Sequence, residues 1–164
     1  MSVRPARAAD APQIAAIWGH YIRETLVTFN AAEKTAAEVA ALIAERQAAG
    51  HGFFVAEDAG RVMGFATYGQ FRGGVGYART MEHTILLDPL ARGGGHGRAL
   101  MAAVEDHARA GGAHSIFAGV SAANADGVAF HAAMGYAEVA RLREVGHKQG
   151  LWLDLVLMQK FLHA

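Results

Sequence analysis

The stretch Arg92-Gly93-Gly94-Gly95-His96-Gly97-Arg98 lies between a predicted strand and a predicted helix, and it is the strongest chemical signal in the sequence. The strand runs from about residue 77 to residue 87, and the helix carries Leu100, Met101 and Val104 on one apolar face. The first turn of a helix exposes unpaired N–H groups and the positive end of the helix dipole, and glycines let the backbone approach an anion closely. The stretch therefore predicts a cradle for a pyrophosphate group.

A flexible glycine turn without a ligand is the alternative interpretation of this stretch. It would place four glycines in the five positions 93–97, although each glycine loses additional conformational entropy on folding. Two other phosphate motifs are excluded. A P-loop requires Gly-Lys-Ser/Thr, which the sequence lacks, and a dinucleotide fingerprint requires a third glycine where Arg98 stands. The fingerprint also belongs after a first strand, whereas this stretch lies past the middle of the chain.

Hydrophobic periodicity and turn residues predict one mixed α/β layer fold around the glycine stretch. Capping signals mark the helices, with Asp10 before the first, a Thr35–Glu38 capping box at the second and Asn124 before the last. A glycine-rich loop spans 69–76. The predicted elements are strand 3–5, a helix after Asp10, a helix from Thr35 to Gly50, strands 53–57, 61–68 and about 77–87, the helix after the glycine stretch, strand 116–120, a helix from Asn124 to Met134, and strands 136–145 and 151–158.

Composition limits the classes of protein to which the chain can belong. Its 164 residues suit one domain, and 52% of them are hydrophobic, which is enough for a sizeable core. Lys+Arg and Asp+Glu balance at 15 each, so the basic face typical of a nucleic-acid-binding protein is not expected. The sequence has no cysteine, and its 9 histidines lack a tight ligand spacing, so we expect neither disulfides nor a metal. Because no signal-peptide pattern and no run of about 18 apolar residues occurs, we expect a cytoplasmic protein without a membrane partner.

The order of the elements and the pattern Arg92-x-x-Gly95-x-Gly97 resemble the GNAT superfamily of N-acetyltransferases. In that superfamily the corresponding pattern binds the pyrophosphate of acetyl-coenzyme A (acetyl-CoA). Asn124 and the segment Phe130-His131-Ala132-Ala133-Met134-Gly135-Tyr136 reinforce the resemblance, because they look like the superfamily's late helix and next strand. The resemblance implies a GNAT fold, which is α/β with a mixed, mostly antiparallel central sheet flanked by helices. It also implies acetyl-CoA as co-substrate and no metal.

A narrower resemblance covers nearly the whole chain, which is similar to phosphinothricin acetyltransferase-like enzymes, including those acting on methionine sulfone and methionine sulfoximine. The matching segments are Thr28-Phe29, Gln70-Phe71-Arg72, Thr80-Met81-Glu82-His83-Thr84, Leu142-Arg143-Glu144-Val145-Gly146-His147-Lys148, Gly150-Leu151-Trp152-Leu153-Asp154 and Leu157-Met158-Gln159. The resemblance implies a small amino acid or an analogue as the amine acceptor, and a homodimer.

Three positions depart from the pattern of these enzymes. Gly94 stands where the family usually has a basic residue, and His96 replaces a common aliphatic residue. Gly74 stands where a second arginine often follows Arg72, so half of a possible clamp for a substrate carboxylate is missing. We therefore expect weaker recognition of phosphinothricin itself.

Glu82 is the predicted general base. An alkyl amine is protonated at neutral pH, and acetyl transfer requires the neutral nitrogen. A partly buried carboxylate in mid-strand can have a raised pKa, which suits removal of that proton. The resemblance places the family's base at the same position. The alternative is a solvated or salt-bridged strand glutamate.

The resemblance also implies how acetyl-CoA is held. The segment Ile85-Leu86-Leu87 would pair with the pantetheine arm where the superfamily strand splays at a bulge, and N–H groups around Leu86 and Leu87 would donate to the oxyanion. His131 stands where many members have a tyrosine near the sulfur; it could protonate the leaving thiolate, only hydrogen-bond to it, or be a half-buried helix residue. The predicted cofactor-binding set is Ile85, Leu86, Leu87, Arg92, Gly93, Gly94, Gly95, His96, Gly97, Arg98 and Asn124.

Phe29, Arg72 and Trp152 are the predicted acceptor-binding residues, with core aromatics and a surface arginine as the alternative. Arginine can hold a carboxylate in a fork geometry, and the two aromatic rings could pack on the acceptor's chain. His83 lies on the face of its strand opposite Glu82 and is interpreted as packing or dimer surface. Two other functions stay open: acetylation of a protein N-terminus or lysine, and a non-catalytic acetyl-CoA-binding module.

Overall fold

One seven-stranded sheet with helices on both faces forms the body of the protein in a computed structural model, which describes residues 1–91 and 93–163. Short 3₁₀ turns occur at Ala8–Asp10 and Val75–Tyr77. The elements are β1 (Ser2–Pro5), α1 (Ala11–Glu24), α2 (Ala36–Ala48), β2 (Phe53–Asp58), β3 (Arg61–Gln70), β4 (Thr80–Leu87), α3 (His96–Ala110), β5 (Ser115–Ser121), α4 (Ala125–Ala133), β6 (Ala137–Lys148) and β7 (Leu151–Phe161).

The strands lie in the order β1-β2-β3-β4-β5-β7-β6. The pair β4·β5 is parallel, and the other neighbouring pairs of the described strands are antiparallel. A parallel connection needs a crossover, which α3 supplies between β4 and β5. This arrangement confirms the predicted GNAT-type fold class, a mixed and mostly antiparallel sheet flanked by helices.

The sheet and its helices form two hydrophobic cores, one on each face of the sheet. On one face, α1 and α2 pack on Phe65 of β3 and Leu86 of β4. On the other face, α3 packs on Met81 of β4 and Ile116 of β5. Because side chains alternate between the faces of a strand, Glu82 shares the face of Leu86, under α1 and α2.

The predicted capping box of α2 is confirmed, since the Glu38 N–H donates to Thr35 Oγ1 (3.1 Å) and the Thr35 N–H donates to Glu38 Oε1 (3.2 Å). Asn124 also caps α4 as predicted, and its Oδ1 accepts from the Gly127 N–H (2.9 Å). Asp10 behaves differently from the prediction. Its carboxylate does not cap α1, because it accepts hydrogen bonds from both terminal nitrogens of Arg4 (2.8 and 2.9 Å).

The predicted start of β4 at residue 77 was wrong. Residues 75–77 form a 3₁₀ turn after Gly74, which has a φ of 103°, and the strand begins at Thr80. A positive φ in a glycine-rich loop interrupts extended backbone, so the apolar pattern at Val75 and Tyr77 does not continue the strand.

Within residues 1–91 and 93–163, no helix combines the length and apolar character needed to cross a bilayer. The same part of the chain contains no group of three or more His, Asp or Glu side chains placed to hold a metal ion.

Candidate active site

A gap opens in the middle of the sheet, because β4 and β5 separate after a short parallel contact. Their pairing runs from Thr80↔Ser115 to His83↔Ala118, although the two strands continue to Leu87 and Ser121. On its other side, β4 keeps one register with β3 up to Gly64↔Leu87. β4 therefore splays away from β5, as expected. The β3·β4 ladder shows no shift of register, so the splay forms without a bulge in that ladder.

The free part of β4 turns alternate backbone N–H groups into this gap. The Asp88 N–H donates to the Met63 carbonyl across the β3·β4 ladder (2.8 Å). In an antiparallel ladder, the N–H and C=O groups of every second residue both bond to the same neighbouring strand. Leu86 is two residues from Asp88, so its backbone groups also face β3. The N–H groups of Ile85 and Leu87 consequently face the gap. The geometry thus offers these two N–H groups, and not that of Leu86, to a ligand between the strands.

A groove of about 390 Å³ leads from the gap to the first turn of α3. Its wall includes seven of the residues predicted to bind the cofactor or the reacting sulfur, namely Ile85, Leu86, Leu87, Gly93, Gly97, Asn124 and His131. The groove therefore joins the predicted pantetheine strand to the predicted pyrophosphate turn.

The glycines of the turn have two different structural roles. Gly93 (φ 80°) and Gly95 (φ 75°) adopt left-handed backbone, and a Cβ at either position would meet no atom within 4 Å. The backbone is thus open to a ligand on that side. A Cβ on Gly97 would lie 3.1 Å from the Phe130 ring, so this glycine allows α3 to pack closely on α4.

The five remaining predicted cofactor residues lie away from the described groove wall or outside the described residues: Arg92, Gly94, Gly95, His96 and Arg98. The buried ring of His96 packs against Gly94. Neither of its ring nitrogens has a hydrogen-bond partner among the described residues. Arg98 is exposed, with Nη1 3.8 Å from the sulfur of Met134. Arg92 lies outside the described residues.

A second cavity of about 300 Å³ adjoins the groove and shares with it Val27, Ile85, Leu86, Asn124 and His131. We call it the acceptor cavity. The segment between α1 and α2 forms one side of it with Thr28, Phe29, Asn30 and Lys34. Two adjoining cavities with a common wall allow two small ligands to meet.

Glu82 lies at the border of the acceptor cavity. A Cβ on Gly119 would lie 3.1 Å from Oε2 of Glu82, so the carboxylate packs on the bare Cα of a residue that lines the cavity. Burial raises the pKa of the half-buried Glu82 carboxyl, and the positive charge of Arg46 partly opposes this rise. A carboxylate with a raised pKa is a better proton acceptor near neutral pH.

Arg46 of α2 is a neighbour of this site that sequence reasoning missed. Its guanidinium lies on the Cα of Gly69, and a Cβ there would overlap Nη1. Gly69 is the residue that pairs with Glu82 across the β3·β4 ladder. The sequence prediction ended the strand at residue 68 and assigned Gly69 to the loop, whereas Gly69 lies inside β3. A glycine inside a strand often marks the close approach of another group.

His131 is held in its neutral form by its surroundings. Its Nδ1 lies 2.7 Å from the Gly127 carbonyl, which can only accept, so Nδ1 carries the hydrogen and Nε2 is the unprotonated nitrogen. The ring stacks on that of His83, with centroids 5.0 Å apart. Burial lowers the pKa of His131, and burial together with His131 lowers the pKa of His83 to about 3. This geometry favours hydrogen bonding by His131 over proton donation, and it confirms the packing interpretation of His83.

β6 holds the segment between α1 and α2 in place, which sequence reasoning did not foresee. The buried Lys148 ammonium donates to the carbonyls of Thr25 and Thr28 (2.7 Å each) and, more weakly, of Tyr21 (3.5 Å). A Cβ on Gly146 would lie 2.5 Å from the Phe29 ring, which therefore packs on the bare backbone of β6. Lys148 and Gly146 thus position one side of the acceptor cavity.

Comparison with known proteins identifies the family. The model of the acetyltransferase (GNAT) domain matches residues 3–157. The chain belongs to the GNAT acetyltransferase family. The L-amino acid N-acyltransferase MnaT of Escherichia coli is 36% identical, over 97% of this chain and 92% of that protein. The L-methionine sulfoximine/L-methionine sulfone acetyltransferase of Salmonella typhimurium is 34% identical, over 97% and 93% of the two chains. A putative acetyltransferase from Salmonella typhimurium, solved with its cofactor acetyl-CoA, superposes with a TM-score of 0.96 at 34% identity, over 100% of this chain and 95% of that one.

This GNAT chain is an acyltransferase that uses acetyl-CoA, and its own residues fit that co-substrate. The open backbone at Gly93 and Gly95 suits a pyrophosphate, and the gap beside Ile85 and Leu87 suits an extended amide-bearing arm. The predicted pantetheine strand and the predicted pyrophosphate turn therefore line one groove.

Two residues predicted to bind the acceptor lie outside the acceptor cavity of this GNAT domain. Arg72 is exposed, and its guanidinium lies 5.7 Å from the centroid of the Tyr77 ring. Trp152 is 63% exposed and packs on His147, with centroids 4.5 Å apart. Phe29 is the one of the three that lines the cavity.

Proposed function

We propose that this GNAT acetyltransferase transfers the acetyl group of acetyl-CoA to the amine of a free amino acid or a close analogue, such as methionine sulfone or sulfoximine. The observation that carries the proposal is the cavity of about 300 Å³ that has Glu82 at its border and shares a wall with the cofactor groove. A cavity of this size suits a small molecule. Relatives that act on amino acids and their analogues support the same acceptor class.

In this proposal Glu82 takes a proton from the acceptor ammonium, which frees the nitrogen for attack. Acetyl-CoA supplies an activated acetyl thioester in the adjoining groove. The N–H groups of Ile85 and Leu87 stabilise the negative charge that develops on the acetyl oxygen. The C–N bond forms as the C–S bond breaks, and of the two protons the ammonium loses, one passes through Glu82 to solvent and one ends on the thiol. His131 lines both cavities, and its unprotonated Nε2 is buried without a hydrogen-bond partner among the described residues.

The proposal assigns the phosphates to the turn at 93–97, with Arg92 and Arg98 as charged neighbours at its two ends. It assigns Phe29 to the acceptor's side chain. Arg72 and Trp152 stay predictions, and Arg72 in particular would reach only an acceptor that extends beyond the cavity. The absence of an arginine at Gly74 still argues for weak use of phosphinothricin.

A protein N-terminus or lysine is a weaker alternative as acceptor. Such an acceptor favours an open, acidic groove, whereas the described wall of the acceptor cavity contains no aspartate or glutamate. A non-catalytic module is not favoured either, because the carboxyl of Glu82 is held beside the cavity with a raised pKa.

We also propose that the enzyme is a cytoplasmic homodimer. Support for the dimer comes from β6, an edge strand, and from its hairpin with β7, which expose Val139, Leu142, Val145, Leu151 and Trp152 to solvent. Exposed apolar patches of this kind often mark protein interfaces. Light scattering should give twice the 17.3 kDa of one chain; the mass of a single chain at working concentrations would refute the dimer.

The acceptor class is tested by measuring thiol release from acetyl-CoA with a panel of free amino acids, methionine sulfone, methionine sulfoximine, phosphinothricin and short peptides. We expect turnover with free amino acids or the sulfone, with mass spectrometry showing one acetyl group on the amine. Turnover of peptides alone, or of nothing in the panel, would contradict the proposal.

A further inference from the structure

We propose that Lys34 forms an anion subsite in the acceptor cavity and binds the carboxylate of the acceptor; this rests on the proposed amino-acid acetyltransferase function. Lys34 lies in the segment between α1 and α2 and lines the cavity together with Trp18. Its ammonium is 5.0 Å from the centroid of the Trp18 ring, and the residue is half-buried. The ammonium is therefore held over an aromatic face at the cavity wall.

The charge of Lys34 has no acidic partner among the ion pairs of the described residues. Its neighbour Glu33 is paired with Arg23. Glu38, whose carboxylate lies within the electrostatic reach of Lys34, is exposed and accepts the Thr35 N–H at the start of α2. Both nearby carboxylates are thus committed elsewhere, and the ammonium is available to a ligand.

Lys34 is the only lysine or arginine in the described wall of the acceptor cavity, and no described wall residue is acidic. The two histidines of the wall, His83 and His131, have lowered pKa values because they are buried. The fixed charge of the wall is therefore positive. Moving a carboxylate from water into such a cavity requires a compensating charge or hydrogen bonds, and Lys34 supplies the charge.

Three other cations lie near the site, but none lines the described wall. The Lys148 ammonium is bound to the carbonyls of Thr25 and Thr28. Arg72 lies in the β3–β4 loop against Tyr77, and Arg46 lies on Gly69 beside Glu82. Lys34 therefore takes the role that sequence analysis gave to Arg72. An α-amino acid would then be held at two points, with its carboxylate at Lys34 and its amine directed towards Glu82.

The test compares two acceptors that differ only in the anion, methionine sulfone and its carboxamide, in wild type and in Lys34→Met. Methionine keeps an unbranched side chain of similar length beside Trp18 and removes the charge. A charge-assisted hydrogen bond contributes enough that the KM for methionine sulfone should rise roughly 10- to 100-fold in the variant. The KM for the carboxamide should stay within about 2-fold of its wild-type value, on the same scale. Calorimetric titration of N-acetyl-methionine sulfone into the CoA-loaded enzyme should show a weaker affinity in Lys34→Met than in wild type.

Arg79→Met is the matched control, because it removes an exposed positive charge that does not line the cavity. It should leave the ratio of the two KM values unchanged. Three results would each overturn the inference: an equal rise in KM for both acceptors in Lys34→Met, no rise in KM for either acceptor in Lys34→Met, or a change in the ratio of the two KM values in Arg72→Met instead. A wild-type enzyme that uses the acid and the carboxamide equally well overturns it too, while the proposed function stands. A wild-type enzyme that acetylates no amino acid or analogue refutes the proposed function itself.

Discussion

At the scale of single residues, the surroundings of Glu82 distinguish it from an ordinary strand glutamate. Its carboxylate packs on the bare Cα of Gly119, and its partner across the β3·β4 ladder is Gly69, on which Arg46 lies. The bare Cα of Gly119 makes room for the carboxylate itself, and that of Gly69 makes room for the guanidinium of Arg46. Burial raises the pKa of Glu82, and the nearby guanidinium limits the rise.

Replacing Glu82 by glutamine should lower kcat at neutral pH by roughly 10²–10⁴-fold, because the side chain keeps its shape and loses its basicity. The dissociation constant of acetyl-CoA should change little. The loss should shrink as pH rises, since more of the acceptor amine is then neutral without help. Steady-state kinetics and calorimetry measure both quantities. Glu138→Gln, which removes an exposed strand glutamate, serves as the control, and near-normal kcat in Glu82→Gln would place the base elsewhere.

The pH profile of kcat/KM should report the ionisation of Glu82. The carboxylate is the active form, so the rate should be lost as pH falls through the raised pKa of Glu82. Arg46 lowers this pKa, so Arg46→Met should raise it further and move the acidic limb of the profile to higher pH. The same limb should be absent from Glu82→Gln. An unmoved limb in Arg46→Met would show that the guanidinium does not act on the base.

At the scale of elements, the acceptor cavity depends on how β6 holds the segment between α1 and α2. Lys148 donates to the carbonyls of Thr25 and Thr28, and Phe29 packs on Gly146. Both contacts join residues that are more than a hundred positions apart in the chain. β6 therefore shapes the acceptor side of the site, although none of its described residues lines the cavity.

Lys148→Met should lower the free energy of unfolding by about 1–3 kcal/mol, because it leaves the partly buried carbonyl groups of Thr25 and Thr28 without this donor. It should also raise the KM of the acceptor more than the dissociation constant of acetyl-CoA. Urea titration and steady-state kinetics measure these effects. Gly146→Ala, whose Cβ would press on Phe29, should raise the same KM without removing a charge. Arg141→Met, on an exposed part of β6, is the control; an equal effect of Arg141→Met would remove the specific role of Lys148.

The sequence predicts the elements well because their signals are local. The Thr35–Glu38 box, the cap at Asn124 and the glycines before α3 depend on neighbouring residues. The structure has α2 and α4 beginning where these signals indicate, while α3 begins at His96, inside the glycine stretch instead of after it. The start of β4 was misplaced because a positive φ at Gly74 outweighs an apolar pattern. Arg46, Lys148 and Lys34 could not be found this way, since their places depend on how distant elements pack together.

At the scale of the whole molecule, one splayed sheet supports two adjoining cavities. The groove beside β4 and the acceptor cavity share Ile85, Leu86, Asn124 and His131 in their walls. The chain has no cysteine to carry an acetyl group between them. This arrangement favours direct transfer while both ligands are bound.

The most direct test of this account is an initial-rate study in which acetyl-CoA and methionine sulfone are varied together. Direct transfer in a ternary complex predicts reciprocal plots that intersect, with one thiol released for each acetylated amine. Mass spectrometry of the enzyme incubated with acetyl-CoA alone should show no added acetyl group. Parallel reciprocal plots together with an acetylated enzyme would contradict the account.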